Sequence, residues 1–350
     1  MLKQVAGFRD QVSISASLKP GARNLTRAMI VLHGTSNVPP TARGGVYAIG
    51  NFDGVHRGHQ ALLRAAKERA AELAARAGVI LFEPHPREFF QPDKPHFRLT
   101  PITRKLELLE RHGLDAAVVL AFDAALAALS PDDFIARILV RALAVRHVVI
   151  GYDFRFGRAR AGDPETMRRA GSALGFGVTV VAQVGEAGEV FSSNAIRAEL
   201  AQGDVAGAAR MLGSWWRISG EVIGGFKRGT GLGYPTANIA LAPGTALAHG
   251  IYAVRVYVDD RTYAGAAYLG TRPTFDDGAP MLEVFLLGFE GDLYGRQMTV
   301  EFIDFVREDL KFSSVDALKE QIARDCEKAQ AMLDAAPSEP PCGRLGSAQQ

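Results

Sequence analysis

The stretch YAIGNFDGVHRGHQALLRAA, residues 47–66, passes from an apolar strand through a glycine-containing turn into a helix. It places two imidazoles, His56 and His59, at the start of that helix, with Gly58 between them. A short apolar strand followed by a helix is typical of a parallel α/β sheet, where ligands bind beyond the carboxyl ends of the strands. We therefore expect the histidine pair at the ligand-binding edge of such a sheet.

Four further apolar runs continue the strand–helix alternation: GVILFEP, AAVVLAF, HVVIGYDF and VTVVAQV. The segments between them carry signals for helix starts. Ser130 precedes Pro131 in SPDDFIARILVRAL, and Asp163 precedes Pro164 in GDPETMRRAGSALG. A short polar side chain before a proline is typical of a helix N-terminus. The pattern predicts a parallel sheet covered by helices on both faces.

From Trp215 onward the apolar pattern changes to a period of two. GIYAVRVYVDDRTYAGAAYLG alternates on either side of Asp259 and Asp260, which is typical of a hairpin, and LEVFLLGF and MTVEFIDFV continue the alternation. A final helix is predicted with one apolar face made of Val315, Leu318, Ile322, Ala329 and Leu333. Together these features predict a small antiparallel barrel closed by a helix.

The chain divides into four predicted segments. They are an N-terminal extension at 1–44, an α/β domain at 45–213, a barrel domain at 214–334 and a disordered tail at 335–350. The extension is basic and contains Met29 as an alternative start, so it is interpreted either as a disordered leader or as an over-extended reading frame. The tail is rich in proline and polar residues.

Composition excludes several classes of protein. Hydrophobic content of 47% and charged content of 22% over 350 residues are ordinary for a globular protein, and a net charge of +2 gives no general reason to expect nucleic acid. No apolar run approaches the roughly 20 residues of a membrane helix. Two cysteines favour a reducing cytoplasm over a disulfide framework. We expect a cytoplasmic monomer or weak homo-oligomer without nucleic-acid or membrane partners.

Three interpretations of His56 and His59 compete. A zinc site needs further ligands, and no Cys/His/Asp cluster in the sequence supplies them. Core packing explains a single histidine better than a pair around a glycine. A phosphate site explains more, because a helix N-terminus offers unpaired N–H groups and a positive dipole end, to which imidazole N–H groups add. Gly54 and Gly58 let the backbone approach an anion closely.

GNFDGVHRGH resembles the His-x-Gly-His signature of adenylyl- and cytidylyltransferases, and its Gly-Asn-Phe-Asp-Gly lead resembles the FAD synthetase subgroup. FSSNAIR resembles a second motif of that family, with Asn194 where threonine is usual. The resemblance implies that the two histidines stabilise the leaving pyrophosphate. It implies ATP contacts by Asn51, Phe52, Asp53, Gly54, His56, His59, Ser192, Ser193 and Arg197.

GYDFRFGRARAGD resembles the flavin-side loop of the same family and implies FMN contacts by Asp153, Phe154 and Phe156. The residues alone leave open that these aromatic side chains belong to a strand end entering the core. FEPHP is a further family feature, but from the residues it is only a rigid turn, and His85 is given no chemical role.

GGFKRGTGLGYPTANI, residues 224–239, is rich in glycine from 224 to 233 and contains Thr236 and Asn238 after its glycines. Backbone of this kind can wrap an anion, and hydroxyl and amide oxygens two residues apart lie on one face of an extended chain, where they suit Mg²⁺. A glycine-rich hairpin is the alternative. Glu283 is the one charged residue between Met281 and Phe289, so it is either solvent-facing or a functional carboxylate.

This second half resembles riboflavin kinase through GLGYPTAN, GIYAV, LGTRPTF and LEVFLLGFEGDLYG. The order and spacing of both resemblances match the bifunctional prokaryotic riboflavin kinase/FAD synthetase family. They imply a Rossmann-like nucleotidyltransferase sheet and a riboflavin kinase barrel, with Glu283 as general base and Thr236 and Asn238 as Mg²⁺ ligands. The implied kinase ATP loop contains Gly229, Gly231 and Gly233.

Two ATP-dependent steps are thus expected: phosphorylation of riboflavin to FMN, then adenylylation of FMN to FAD with release of pyrophosphate. Two alternatives stay open from the residues. In one the adenylyltransferase half is degenerate, for which Asn194 is the best sign. In the other the chain is a flavin or nucleotide sensor without turnover, although a sensor has no need of a general base.

Overall fold

The computed structural model describes residues 28–186, 188–224, 236–271 and 280–341. The elements of the N-terminal part are β1 (Ile30–His33), β2 (Val46–Ile49), α1 (Arg57–Glu72), β3 (Ala77–Glu83), α2 (Pro86–Phe90), α3 (Ile102–Arg111), β4 (Ala116–Ala121), α4 (Ala124–Ala127), α5 (Pro131–Phe134), β5 (His147–Gly151), α6 (Pro164–Leu174), β6 (Gly177–Val181), β7 (Gly185–Glu186), β8 (Glu189–Val190), α7 (Ser193–Gln202) and α8 (Val205–Leu212). Two 3-10 turns (Pro40–Ala42 and Arg158–Arg160) and a π-helical segment that continues α5 (Ile135–Ala142) complete it.

Six strands form one parallel sheet in the order β1-β4-β3-β2-β5-β6. Successive side chains of its strands enter two different cores. Tyr47 and Ile49 pack with the helical segment after Ser130 and with α6, whereas Val46 and Ala48 pack with α1 and α3. Because both faces are buried, the strands are apolar throughout rather than alternating, as the sequence indicates.

The predicted helix starts are confirmed. The Ser130 side chain accepts a hydrogen bond from the backbone N–H of Asp133 at 3.0 Å, with Pro131 in the first turn of the helix. The Asp163 side chain accepts one from the backbone N–H of Thr166 at 2.8 Å at the start of α6. These caps satisfy donors that the first helical turn leaves unpaired.

The C-terminal part is an antiparallel barrel. Its elements are β9 (Arg217–Glu221), β10 (Ala237–Ala240), β11 (Gly250–Val258), β12 (Arg261–Thr271), β13 (Pro280–Leu286), β14 (Gln297–Arg307) and α9 (Val315–Ala335). The strand order is β10-β13-β12-β11-β14-β9, and a bridge between Ile223 and Asn238 brings the two ends of the sheet together. The hairpin turn at Asp259 and Asp260 has positive φ at both residues, as a tight two-residue turn requires.

The closing helix α9 packs on the barrel through the end of its predicted apolar face. Ala329 and Leu333 are buried against Ile303 and Val306, whereas Val315 at the N-terminus of the helix is 59% exposed. The predicted combination of a parallel α/β sheet with a small antiparallel barrel and a closing helix is confirmed.

Strand β1 lies before residue 45, where the sequence places the start of the α/β domain, and it adds an edge strand beside β4.

At the C-terminal end of the described chain, the carbonyl oxygens of Ala336 and Pro337 accept hydrogen bonds from Arg255 at 2.9 and 2.8 Å. Within the described ranges, no helix is both long enough and apolar enough to cross a membrane.

Two candidate active sites

The turn between β2 and α1, residues 50–56, has an unusual backbone conformation that burial maintains. Phe52 and Val55 have φ angles of 49° and 45°, in the left-handed region that residues with a side chain rarely adopt. Their side chains are 0% and 2% exposed. Packing therefore compensates the backbone strain of the turn, and strained backbone of this kind is concentrated at ligand sites.

The two histidines of the turn are in contact. His56 is the N-cap of α1, and its Nδ1 accepts a hydrogen bond from the backbone N–H of His59 at 3.3 Å. An acceptor Nδ1 leaves Nε2 as the protonated nitrogen of neutral His56. The two rings stack with centroids 3.7 Å apart, and the ring of Phe52 lies 5.0 Å from that of His59. Nδ1 of His59 is buried and has no hydrogen-bond partner in the described part of the chain, as expected of a group awaiting a ligand.

Burial sets the protonation of both imidazoles. It lowers the pKa of His56 to about 4, an effect that Asp53 opposes and Arg197 reinforces. Burial also lowers the pKa of His59 well below its usual value, and the nearby His56 and Lys105 add to this effect. The pair is therefore neutral near pH 7 in the ligand-free protein, and it offers N–H donors rather than charges.

The ligand-free protein is expected to lose stability as the pH falls from 6.5 towards 4. The unfolded chain protonates its histidines near pH 6.5, whereas folded His56 stays neutral until about pH 4. The stability is therefore complete above pH 6.5 and declines below it, because only the unfolded state gains the proton. In urea unfolding, His56→Gln should reduce the loss between pH 7 and pH 5 by at most about 2 kcal/mol. An unchanged pH dependence in this variant would exclude His56 as its source.

The carboxylate of Asp53 joins the turn to the segment that precedes α3. Asp53 is 3% exposed, and its oxygens accept hydrogen bonds from the backbone N–H groups of Leu99 at 3.2 Å and Thr100 at 3.1 Å. The same carboxylate forms an ion pair with Arg197. Its oxygens are engaged within the protein, so the geometry fits a positioning group.

The start of α7 meets the same turn although the two are 140 residues apart in sequence. The Ser193 hydroxyl donates to the carbonyl oxygen of Asp53 at 2.9 Å. Ser192 is the N-cap of α7 and accepts a backbone N–H of the helix at 3.1 Å. Arg197 donates from Nε to the carbonyl oxygen of Phe97 at 2.7 Å. The structure thus brings the GNFDG and FSSNAIR motifs together.

A cleft of about 410 Å³ lies at the carboxyl ends of β2 and β5. The predicted site residues on its wall are Asn51, Asp53, His56, His59, Asp153, Phe154, Ser192, Ser193 and Arg197. Phe52 and Gly54 lie behind the wall and shape the turn, in which the N–H of Gly54 donates to the Thr100 hydroxyl at 3.0 Å.

Two more histidines line the cleft. The rings of His85 and His96 stack with centroids 4.4 Å apart, and Arg197 lies 3.3 Å from Nε2 of His96. From the sequence, His85 is given no chemical role, and His96 is not identified because it belongs to no recognisable motif. Within the described ranges, no three His, Cys, Asp or Glu side chains converge closely enough to hold a metal ion.

A second cavity of about 580 Å³ is contiguous with the cleft and shares Asn51, Asp153 and Phe154 with it. Phe156 lines only this second cavity, and its ring stacks on that of Phe154 with centroids 5.5 Å apart. Further aromatic walls come from Phe82, Phe90, Phe122 and Phe134. Phe156 is buried and Phe154 half-buried, so the loop both enters the core and faces a cavity.

The barrel holds a separate cavity of about 340 Å³ beside α9. Thr236 and Glu283 both line it, so Glu283 faces a cavity between the barrel and α9 rather than open solvent. Asn238 is the direct cross-strand partner of Glu283, but it is 3% exposed and does not line the cavity. Tyr268 is the partner of Glu283 on the other side, in β12.

Other polar residues of the barrel cavity were not identified from the sequence. Arg307 and Asp325 form a bidentate ion pair, with Nε–Oδ1 and Nη2–Oδ2 distances of 2.8 and 2.6 Å. The hydroxyl of Tyr268 donates to Asp309 at 3.1 Å. These partners are distant in sequence, so no spacing pattern relates them. The predicted ATP-loop glycines Gly229, Gly231 and Gly233 lie outside the described residues.

The fold and the two sites define a two-domain nucleotide-dependent transferase, with an α/β nucleotidyltransferase domain followed by a small kinase barrel. The sequence pattern of the FAD synthetase family matches residues 38–195, and that of the riboflavin kinase family matches residues 212–333. The chain belongs to the bifunctional riboflavin kinase/FMN adenylyltransferase family and is an enzyme with both domains.

Two relatives of the same description and one solved structure are similar to most of the chain. The bifunctional riboflavin kinase/FMN adenylyltransferase of Pseudomonas fluorescens is 43% identical over 311 residues, which cover 89% of this chain and 99% of the relative. That of Escherichia coli K12 is 41% identical over 295 residues, or 84% and 94% of the two chains. A solved Streptococcus pneumoniae structure, described as a macrolide-efflux protein, is 28% identical with a TM-score of 0.77 and covers 86% of this chain and 99% of its own.

Proposed function

We propose that the cleft at α1 binds the triphosphate of ATP and that the contiguous aromatic cavity binds the flavin of FMN. The observation that carries this proposal is the convergence of the GNFDG turn, the stacked imidazoles and the start of α7 on one cleft. Adenylylation would take place where the cleft and the cavity meet, close to Asn51 and Asp153. On this basis the adenylyltransferase function is assigned to residues 45–213, to whose sheet β1 adds an edge strand, and the kinase function to residues 214–334.

In the adenylyltransferase step, a phosphate oxygen of FMN attacks the α-phosphorus of ATP. A new phosphorus–oxygen bond forms, the bond to the β-phosphate breaks, and pyrophosphate leaves with the negative charge. The residues proposed to contact ATP are Asn51, His56, His59, Ser192, Ser193 and Arg197. Neutral imidazole N–H groups and the N-terminus of α7 stabilise charge without any covalent intermediate.

The remaining motif residues have supporting roles in this proposal. Phe52, Asp53 and Gly54 hold the turn, because two of them lie behind the cleft wall and the Asp53 carboxylate is engaged by backbone donors. Phe154 and Phe156 supply aromatic surface for the isoalloxazine ring, since stacked or edge contacts suit a flat conjugated ligand. Asp153 lines both the cleft and the cavity, so it would lie close to both ligands.

In the kinase step, Glu283 takes the proton of the ribityl 5′-hydroxyl as that oxygen attacks the γ-phosphorus of a second ATP. The bond to the β-phosphate oxygen of this ATP breaks, giving FMN and ADP. The place of Glu283 on the wall of the barrel cavity beside Thr236 supports this role. The ATP itself would lie along the glycine loop that contains Gly229, Gly231 and Gly233.

Mg²⁺ is proposed as the metal of the kinase site, held by the hydroxyl of Thr236 and the side-chain oxygen of Asn238. Both supply oxygen donors of the kind that Mg²⁺ prefers: Thr236 lines the cavity, and Asn238 is buried as the cross-strand partner of Glu283. When bound, Mg²⁺ would neutralise charge on the transferring phosphates. The same requirement is proposed for the adenylyltransferase step, where ATP phosphates bring the ion.

A cytoplasmic location without membrane or nucleic-acid partners is proposed as well, with the chain as a monomer or weak homo-oligomer. The use of ATP as co-substrate in both steps supports the cytoplasm, and the free Cys326 thiol fits a reducing compartment.

The test is chromatography of the products of the purified protein. With riboflavin and Mg-ATP, FMN and then FAD should accumulate over many turnovers, and with FMN and Mg-ATP only FAD should form. Chelation of Mg²⁺ by EDTA should stop both steps, and excess Mg²⁺ should restore them. Formation of FMN alone would indicate a degenerate adenylyltransferase domain, and no product from either substrate would contradict both activities.

A further inference from the structure

The segment Phe97–Thr100 lies between the two halves of the chain and is held from both sides. On the side of the ATP cleft, Asp53 accepts the backbone N–H groups of Leu99 and Thr100, and Arg197 donates to the carbonyl oxygen of Phe97 at 2.7 Å. From the barrel side, the indole N–H of Trp216 donates to the carbonyl oxygen of Leu99 at 3.1 Å. One short segment therefore contacts both the adenylyltransferase site and the barrel.

The barrel fixes Trp216 firmly. Trp216 is 3% exposed, and its backbone carbonyl accepts the N–H of Phe302 in β14 at 3.0 Å. Its ring packs 5.1 Å from that of Phe302 and edge-on to Phe97 at 5.7 Å, measured between centroids. A side chain with this many fixed neighbours has one accessible position, so its N–H defines where the Leu99 carbonyl lies.

The same segment also touches the turn that carries the histidines. The Thr100 hydroxyl accepts the N–H of Gly54 at 3.0 Å, and the Leu99 side chain is packed so closely that a Cβ on Gly54 would meet it at 3.0 Å. A shift of Leu99 would therefore move the turn, the Asp53 carboxylate and the partners of Arg197 together.

We propose that Trp216 is a positioning residue for the adenylyltransferase reaction, through which the kinase barrel holds the ATP site of the other domain in its working geometry. The inference rests on the proposed role of Arg197 and the GNFDG turn in binding ATP. The contact affects only the adenylyltransferase reaction, because Trp216 does not line the barrel cavity that contains Glu283. Adenylylation thus depends on the barrel, whereas phosphorylation of riboflavin does not depend on this contact.

Trp216→Phe removes the indole N–H and leaves the buried Leu99 carbonyl without that donor. Such a group either finds water by moving or remains unsatisfied, and both disturb the segment. We expect kcat/KM for ATP in FAD formation to fall about tenfold, mainly through KM, since a tenfold change corresponds to one hydrogen bond of ordinary strength. Riboflavin phosphorylation by the same protein should stay within about twofold of the wild-type rate. A change of that size corresponds to less than half of the stabilisation that an ordinary hydrogen bond gives.

The chain offers a matched control in the adjacent residue. Trp215 is 7% exposed, but its indole N–H is buried without a hydrogen-bond partner in the described residues, and its ring packs against Ile303 and Leu333. Trp215→Phe makes the same chemical change without breaking a hydrogen bond. It should leave both activities near wild type, so the comparison of the two variants isolates the bond to Leu99.

Fluorescence gives a second readout that does not need Trp216 to be replaced. Trp215 and Trp216 are the two tryptophans of the sequence, so in Trp215→Phe the emission comes from Trp216. With Mg²⁺ and α,β-methylene-ATP but no flavin, its emission should change, and the change should disappear when His59→Ala is added. Trp216→Phe, which retains Trp215, should show a much smaller response.

The possible outcomes separate this inference from the proposed function. If the wild-type protein forms no FAD, the proposed function fails. If it forms FAD and the two tryptophan variants show equal adenylylation, or Trp216→Phe loses both activities in proportion, the positioning role of Trp216 is wrong. An emission of Trp216 that does not respond to α,β-methylene-ATP would also contradict it.

Discussion

Replacing His59 by alanine is expected to reduce FAD formation from FMN by about 100- to 1000-fold, the range found when one preorganised donor to a developing charge is removed. His59 stacks on His56 at 3.7 Å, and its buried Nδ1 lacks a partner in the described chain. Alanine removes a donor and the ring that holds His56 in place. Both effects act on the charge of the departing pyrophosphate, so the loss should be mainly in kcat.

The kinase activity of the same protein provides the control for folding. FMN formation from riboflavin should stay near the wild-type rate, because the barrel cavity has its own walls. His147→Ala is the matched variant, since His147 is 8% exposed and lies at the amino end of β5, away from the cleft. A parallel loss of both activities in folded His59→Ala protein would show that the two-site assignment is wrong.

Glu283→Gln is expected to have the opposite effect, lowering riboflavin phosphorylation by about 100- to 10,000-fold, the range for a general base. Glutamine keeps the shape of the side chain and its contacts across β10 and β12 but cannot accept the hydroxyl proton. KM for riboflavin should change little, since the walls of the cavity are retained. Adenylylation of supplied FMN should continue at the wild-type rate.

Glu221→Gln in β9 is the matched control for this substitution. Glu221 is an exposed glutamate of the same barrel and does not line the cavity beside Glu283. Its replacement should leave both steps unchanged. If Glu283→Gln retains more than a tenth of the wild-type phosphorylation rate, Glu283 is not the general base, because general-base catalysis contributes at least about 100-fold.

In the ATP cleft, most site residues could be identified from the sequence, but their individual contacts could not. The His56–His59 pair was identified because a helix start favours an anion site, and Ser192 and Arg197 were identified because FSSNAIR resembles a motif of the family. The structure assigns different tasks within those motifs. The Asp53 carboxylate accepts hydrogen bonds from Leu99 and Thr100 and forms an ion pair with Arg197, and a sequence motif cannot reveal these partners.

In the barrel site, candidate residues could be identified from the sequence, but their arrangement could not. Glu283 was identified because a lone carboxylate interrupts an apolar strand. Its setting was not, since the Asn238–Glu283–Tyr268 row arises from strand register between segments up to 45 residues apart. The same holds for His96 in the cleft and for the Arg307–Asp325 pair, which no spacing rule connects.

The sequence by itself determined the alternation of strands and helices that follows residue 45, the change to an antiparallel barrel, the helix caps at Ser130 and Asp163, and the two families that the chain resembles. These features depend on hydrogen bonds and periodicities within a few residues of each other. Tertiary structure alone decided that α7 meets the GNFDG turn, that burial keeps the imidazoles neutral, and that Trp216 reaches Leu99. Such contacts join residues separated by more than a hundred positions, and side-chain packing in three dimensions, which local preferences do not encode, selects them.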